Sequence, residues 1–410
     1  MTAEAYVFVD GERGAHDFVG TAYFTQRRGG PISTTFRYEQ TWLAKPGAYA
    51  LEPELPLIGG AIATPGKLPD SFSDASPDRW GRGLITKRRA HAAGAARPTV
   101  VDFLLGVSDH NRQGALRFKT SLDGEFESPT LDVPKMIELP ALLRAADDVT
   151  RDPDNQVALK RLLDAGTGSL GGARPKASVR DGDLMKIAKF PNILSDDWDV
   201  MAWECTSLAL ATRCRITVPP TNLVSIDGRH VLVLDRFDRM PDGARRAYIS
   251  AMTIVGGSDG ERHDYLEVVE AVEENGSRVA ADLRELWRRV ALSVIIHNTD
   301  DHLRNHGFLR TVPGGWALAP AFDINPDPDL GSDRVTSICG AVRVDDEVDG
   351  LMELAGSCRL TESAARDELQ AIADLVAGDW ERIARSHSIS EGELKRFTPV
   401  FSRAGELGAD

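Results

Sequence analysis

Asp300 and Asn305 bound the polar run Asp300-Asp-His-Leu-Arg-Asn305, which follows the largely apolar stretch Val279–Ile296. Carboxylates at the end of an apolar helix are costly to desolvate, so a cluster there needs a reason. D-x-x-x-x-N is the spacing of a phosphoryl-transfer loop, with the carboxylate for an attacking hydroxyl and the amide for magnesium. In Ala321-Phe-Asp-Ile324, Asp323 is a lone carboxylate at the position expected for a second magnesium ligand. A local alternative has Asp300, Asp301 and His302 merely capping the helix and bonding nearby backbone.

Two further segments suit phosphate chemistry. Gly166-Thr-Gly-Ser-Leu-Gly171 matches G-x-G-x-x-G, but a helical segment precedes it, Pro175 follows closely, and a hairpin comes next. A dinucleotide fold requires a strand before and a helix after, so that reading fails on context. What remains is a glycine loop flanked by Arg174 and Lys176, suited to close backbone approach to phosphates. Lys189 ends the second strand of the hairpin and Glu204 lies on the following helix, a strand-lysine and helix-glutamate arrangement used to position nucleotide phosphates. A competing metal-hydrolase reading takes His297, His302 and His306 with Asp300, Asp301 and Asp323, but H-E-x-x-H is absent and the glycine loop gains no role.

The elements that must carry these groups are legible in outline. Ala177–Arg180 and Asp183–Phe190 flank an Asp181-Gly182 turn, and Thr221–Ile226 and His230–Asp235 flank Asp227-Gly228. Asp-Gly between extended runs is a strong hairpin signal. Between the hairpins, Ser195–Asp197 is expected to cap a helix from Trp198 to Thr212. Helices are expected over Glu138–Asp148, Gln156–Asp164, Tyr265–Glu274 and Val279–Ile296, the last apolar nearly all round, and again from Glu347 to Ser386. A further hairpin is expected from Gly307–Val312 and Trp316–Ala319. Near the N-terminus, Ala5–Val9 and Thr34–Arg37 read as strands. Three domains follow: an N-terminal module over 1–120, a lobe with the glycine loop and two hairpins over 121–240, and a mainly helical lobe over 241–410.

Composition bounds the rest. The 410 residues carry 48 Lys plus Arg against 62 Asp plus Glu, a net charge of −14 that disfavours broad unassisted nucleic-acid binding and suits a basic partner. Four dispersed cysteines form no C-x-x-C, as expected for a reducing compartment. Neither a signal peptide nor an apolar run of about 18 residues is visible, so a cytoplasmic chain without membrane association is expected.

The sequence resembles the HipA family, serine/threonine-kinase toxins of bacterial toxin–antitoxin systems. The resemblance rests on Gly171-Gly-Ala-Arg-Pro-Lys176, Ile187-Ala-Lys-Phe-Pro191, Asp235-Arg-Phe-Asp-Arg239, Thr299-Asp-Asp-His-Leu-Arg-Asn305 and Leu318-Ala-Pro-Ala-Phe-Asp-Ile324. Ser76-Pro-Asp-Arg-Trp-Gly-Arg82 and Asp102-Phe-Leu-Leu-Gly106 look like its N-terminal module. It implies an α+β, kinase-like two-lobed fold with a mixed α/β N-terminal module and a mainly helical C-terminal lobe. It also implies ATP and magnesium: Gly171, Gly172, Ala173, Arg174, Pro175, Lys176 and Lys189 at the phosphates, with Glu204 assisting. Asp235, Arg236 and Phe237 would form the adenine-side hinge. Asp300 would be the base, His302 and Asn305 would line the nucleotide site, and Asn305 and Asp323 would hold magnesium. Ser169 would be an autophosphorylated loop serine.

The implied partners are a small basic helix-turn-helix antitoxin dimer, DNA through that antitoxin, and a protein substrate of the aminoacyl-tRNA synthetase class. Where relatives often read D-G-H-x-K-N, Asp301 replaces glycine and Arg304 replaces lysine, so a second carboxylate beside Asp300 is expected to raise its pKa or recruit a cation. A catalytically silent module that binds the antitoxin as co-repressor is the alternative from a different class.

Overall fold

In β1 (Thr2–Asp10), Ala5, Val7 and Val9 alternate inward, the period of a strand with one buried face. β1 pairs with β2 (His16–Gln26) on one side. β3 (Ile32–Tyr38), β4 (Ala61–Thr64) and β5 (Leu116–Lys119) complete an antiparallel sheet in the order β4-β3-β2-β1-β5. The computed structural model describes residues 2–10, 15–26, 30–90, 97–127, 133–166, 174–311 and 314–405. Chain contacts define two compact units: Met1–Ser195 with Asp235–Ile249 and Val312–Gly314, and Asp196–Leu234 with Ser250–Thr311 and Gly315–Asp410.

In the first unit, one face of the sheet buries Phe24, Phe36, Tyr38, Phe72 and Phe118. Phe72 meets Phe36 and Phe118 edge-on at 5.9 and 5.2 Å, the favoured aromatic geometry. The helix Val100–Gly106 begins with a capping box in which Thr99 and Asp102 exchange hydrogen bonds. Helices Leu139–Arg151 and Gln156–Asp164 precede the hairpin of β6 (Lys176–Asp181) and β7 (Leu184–Lys189). Its register pairs Asp181 with Leu184, so the turn is Gly182-Asp183, one residue later than expected. Gly182 has φ +60°, and glycine at the first turn position is what this class of two-residue loop demands.

In the second unit, the helix Val200–Arg213 starts at Asp199, whose carboxylate accepts the Ala202 N–H at 3.0 Å; the expected cap at 195–197 lies too early. β8 (Thr221–Ile226) and β9 (Arg229–Asp235) flank Asp227 and Gly228, both left-handed, as the sequence predicts. Trp203 stacks on Phe397 at 4.0 Å, and Trp380 on Phe401 at 4.6 Å. Both phenylalanines belong to a helix, Glu391–Arg403, beyond the expected helical stretch; Ser390 with Glu393 was its available start signal.

The helix Val279–Ile295 is not apolar all round. Asp282 and Arg289 are buried on it and hold the hairpin Gly307–Arg310/Trp316–Leu318 and its exit: Asp282 accepts the Leu318 N–H at 3.2 Å, and Arg289 donates to the Ala319 carbonyl at 2.7 Å. Buried charges of this kind persist only with partners. They also fix where the chain leaves for Asp323.

Candidate active site

The loop carrying Asp300 begins with a specific helix ending. His297 takes φ +53°, and the Asn298 N–H reaches back to the Ser293 carbonyl at 2.8 Å, as in a Schellman stop. Ser293 Oγ donates to the Asn298 carbonyl at 3.0 Å, and His297 Nε2 lies 3.0 Å from the Asp329 carbonyl. The loop is thus anchored before its functional residues begin.

Asp300 and Asp301 then diverge. Asp300 is exposed, and its backbone carbonyl accepts the Asn305 side-chain amide at 3.2 Å and the His302 N–H at 3.0 Å. Asn305 is buried; with Nδ2 donating to Asp300, its Oδ1 is the amide atom suited to a cation. Asp301 turns inward, accepts the Tyr265 hydroxyl at 2.5 Å, and lies 3.0 Å from His306 Nε2. Burial pushes its pKa up, but His306 and Tyr265 pull it below the usual carboxylate range. Burial, then the Asp301 charge, push the Tyr265 phenol well up. The Asp301 carboxylate therefore belongs to a buried network rather than to an open cation site. Arg304 grips Asp259 with two nitrogens at 2.8 and 3.0 Å on the surface.

Asp323 also stands in the left-handed region, at φ +60°, and its N–H donates to Glu204 Oε1 at 3.2 Å. Glu204, nearly fully buried on the helix Val200–Arg213, thus holds the Asp323 backbone, a link no local spacing reveals. Asn325 Nδ2 reaches Asp323 Oδ1 at 3.4 Å. Asn325 Oδ1 is buried with no hydrogen-bond partner among the described residues. His302 Nδ1 is likewise buried without one.

The three histidines of the metal-hydrolase reading do not converge. His306 faces Asp301 and His297 faces the 329 carbonyl. Among the described residues, the cluster of three potential ligands is Glu52, Glu54 and Asp70, far along the chain.

In the first unit, Lys176 and Lys189 are buried and pair directly in the β6–β7 register. Lys176 Nζ lies 3.6 Å from Asp78, an acid of the Ser76–Arg82 motif to which the sequence assigned no task. Burial raises the Asp78 pKa to about 6, against the opposing pull of Lys176. Pro175 accepts the Phe190 N–H at 2.9 Å, and Arg174 is half-buried beside it. Gly171, Gly172, Ala173 and Ser169 lie outside the described residues.

At the expected hinge, the Arg236 side chain turns inward. Its guanidinium is buried and donates to Asp238 at 2.9 and 2.7 Å and to the Asn111 and Arg112 carbonyls at 2.9 and 3.1 Å. Its N–H goes to the Met185 carbonyl at 3.1 Å. Asp235 pairs with Lys186 at 2.6 Å, and the Phe237 ring lies 6.1 Å from Tyr248. These side chains are engaged internally.

Comparison with known proteins follows this geometry. A curated Haemophilus influenzae protein named "Putative kinase" is 26% identical over 146 residues, 31% of this chain; the chain spans 42% of that protein's length. The Shewanella oneidensis MR-1 HipA, solved with HipB and operator DNA, superposes with a TM-score of 0.69 at 15% identity, covering 98% of this chain and 96% of that one. It shares the mixed α/β fold. The Helicobacter pylori proinflammatory kinase CtkA aligns at a TM-score of 0.38 and 14% identity, over 59% of this chain and 94% of its own. No helix among the described residues is long and apolar enough to cross a membrane. The HipA N-terminal domain matches residues 17–119 and the HipA-like C-terminal domain matches residues 168–380, more than half the chain, so this protein belongs to the HipA family.

Proposed function

We propose that the chain is a HipA-type serine/threonine protein kinase that uses ATP and magnesium. One observation carries the reading: Asp300 is exposed on a loop pinned by the Asn305 amide, while its neighbour Asp301 is tied inside. That separates one carboxylate for chemistry from one for structure. Asp300 receives the proton of the substrate hydroxyl, a role commonly worth about 10²–10⁴-fold.

The donor set fits magnesium. Asn305 Oδ1 and the Asp323 carboxylate are hard oxygen donors, and the orphaned Asn325 Oδ1 adds a third beside Asp323. The ion, when bound, neutralises charge on the transferring phosphates. Arg174, Lys176 and Lys189 hold the phosphates, the backbone at 235–237 meets the adenine, and the orphaned His302 Nδ1 bonds the nucleotide. Gly171, Gly172 and Ala173 offer loop backbone, and Ser169 is the autophosphorylation site.

The likeness to a HipA that assembles with HipB on operator DNA supports a basic helix-turn-helix antitoxin as partner, with DNA reached through it. The charge of −14 favours such a partner. The substrate belongs to the translation machinery, an aminoacyl-tRNA synthetase being the class proposed, and the setting is cytoplasmic. Incubation with labelled ATP and magnesium, followed by phosphosite mapping, tests the reading. Phosphate is expected on Ser169 and lost with Asp300→Gln. A folded wild-type chain that binds the antitoxin but never transfers phosphate is a co-repressor instead.

A further inference from the structure

Residues 110–114 of the N-terminal module are bound to residues 236–239 by a buried polar junction. Arg236 donates to the Asn111 and Arg112 carbonyls at 2.9 and 3.1 Å, and Arg239 to the Arg112 carbonyl at 2.6 Å. Asp238 accepts the Gly114 N–H at 2.8 Å and closes ion pairs with Arg236 and Arg239 at 2.7 and 2.8 Å. Burial pushes the Asp238 pKa up, but the two guanidiniums hold it well below the usual carboxylate range.

Asn111 sits at the centre of this junction and is fully buried. Its carbonyl is taken by Arg236, yet both polar atoms of its side chain lack a hydrogen-bond partner among the described residues. An orphaned buried amide costs roughly 1–3 kcal/mol, so an apolar residue would be the better filler if packing were all that mattered. The side chain presses on Gly166, the residue that leads into the glycine-rich stretch. A Cβ at 166 would lie 2.0 Å from Asn111 Nδ2, and Gly166 has φ +68°. Glycine is therefore required there twice, for its backbone conformation and for the space Asn111 fills.

We propose that Asn111 is a positioning residue: wedged between Arg236 and Gly166, it lets the N-terminal module set the root of the glycine-rich stretch relative to the hinge segment. This rests on the kinase reading of the same chain. A root held in place lowers the ordering cost of nucleotide binding, which appears in affinity. The chemistry of transfer, set by Asp300, is untouched.

The experiment is steady-state phosphorylation by the full-length protein, with thermal melts of each variant. Asn111→Ala should raise KM for ATP about five- to tenfold, the effect of a perturbation near 1–1.4 kcal/mol, and leave kcat within about twofold. Gly166→Ala should do the same through the clash. In the double variant the clash is removed, so KM should be no higher than in Gly166→Ala alone, a coupling that independent sites do not show. Asn111→Asp, similar in shape, should keep most of the affinity if it folds.

A folded Asn111→Ala with wild-type KM overturns the proposal. So does a double variant whose losses simply multiply. A wild-type chain with no ATP binding or transfer overturns the kinase reading and this role with it. A loss of kcat alone places Asn111 outside nucleotide positioning and overturns the proposal while leaving the kinase standing.

Discussion

Lys176 and Lys189 stand directly opposite each other across the β6–β7 hairpin, and both are buried. Like charges at a directly opposed pair destabilise a sheet, and burial sharpens the effect. Asp78, 3.6 Å from Lys176, counters this repulsion. Two lysines side by side on one hairpin are the basis of the phosphate role proposed for them.

Removing one ammonium should therefore weaken nucleotide binding. Charge-assisted hydrogen bonds contribute roughly 1.5–3 kcal/mol, so Lys189→Ala is expected to lose about tenfold or more in ATP affinity. Titration calorimetry in magnesium reads this directly. Unchanged affinity removes Lys189 from the site.

The two adjacent aspartates should separate cleanly. Asp300 is exposed, so Asp300→Gln should abolish detectable transfer at unchanged melting temperature. Asp301→Ala strands the Tyr265 hydroxyl and faces His306 with an empty position, so stability should fall by about 1–3 kcal/mol. Melts and intact-mass spectra of both variants make the comparison. If Asp301→Ala melts like wild type, the buried network is not a stabilising one.

Asp78 and Glu52 make a pH prediction. Burial raises Asp78 from 3.8 to about 6 and Glu52 from 4.5 to about 7. Each folded pKa lies above its unfolded value, so the native state binds more protons between the two. Their combined contribution to stability therefore declines as pH rises from about 4 to about 7, then levels off. Glu52→Gln should flatten the upper part of that decline in pH-dependent melts; an unaltered profile would show that Glu52 does not titrate in this window.

Ser169, the autophosphorylation site proposed above, would act as a switch. A phosphate there adds about −1.5 to −2 charges near Arg174 and Lys176 in sequence and competes for the cations that grip ATP. Wild-type protein incubated with ATP and magnesium should gain one phosphate and lose nucleotide affinity, whereas Ser169→Ala should keep its affinity. Phosphate confined to other residues removes the switch.

With the antitoxin proposed above, the chain should bind operator DNA mainly through that partner, because an acidic protein gains little from phosphates. A shift of operator DNA by the isolated chain at physiological salt and sub-micromolar concentration would contradict this.

Local spacing alone determined much of this protein. The Asp300–Asn305 interval, the Asp227-Gly228 turn and most helices depend on neighbours a few residues apart, which is the range over which periodicity and turn chemistry act. Tertiary structure decided the rest. Asp181-Gly182 read as the turn would have set Ile187 opposite Lys176; the actual turn at Gly182-Asp183 places Lys189 there instead. The difference lies in which residue takes the left-handed conformation, and Gly182 alone does so there. Asp301 looked like a second active-site carboxylate because adjacency says nothing of direction; only Tyr265 and His306, folded in beside it, draw it inside. Arg236 lies in the segment expected as the hinge, and only the fold shows its side chain enclosed by Asn111, Arg112 and Asp238. Two of those partners lie more than a hundred positions away, and no pattern within a short window encodes a contact made only when the chain closes on itself.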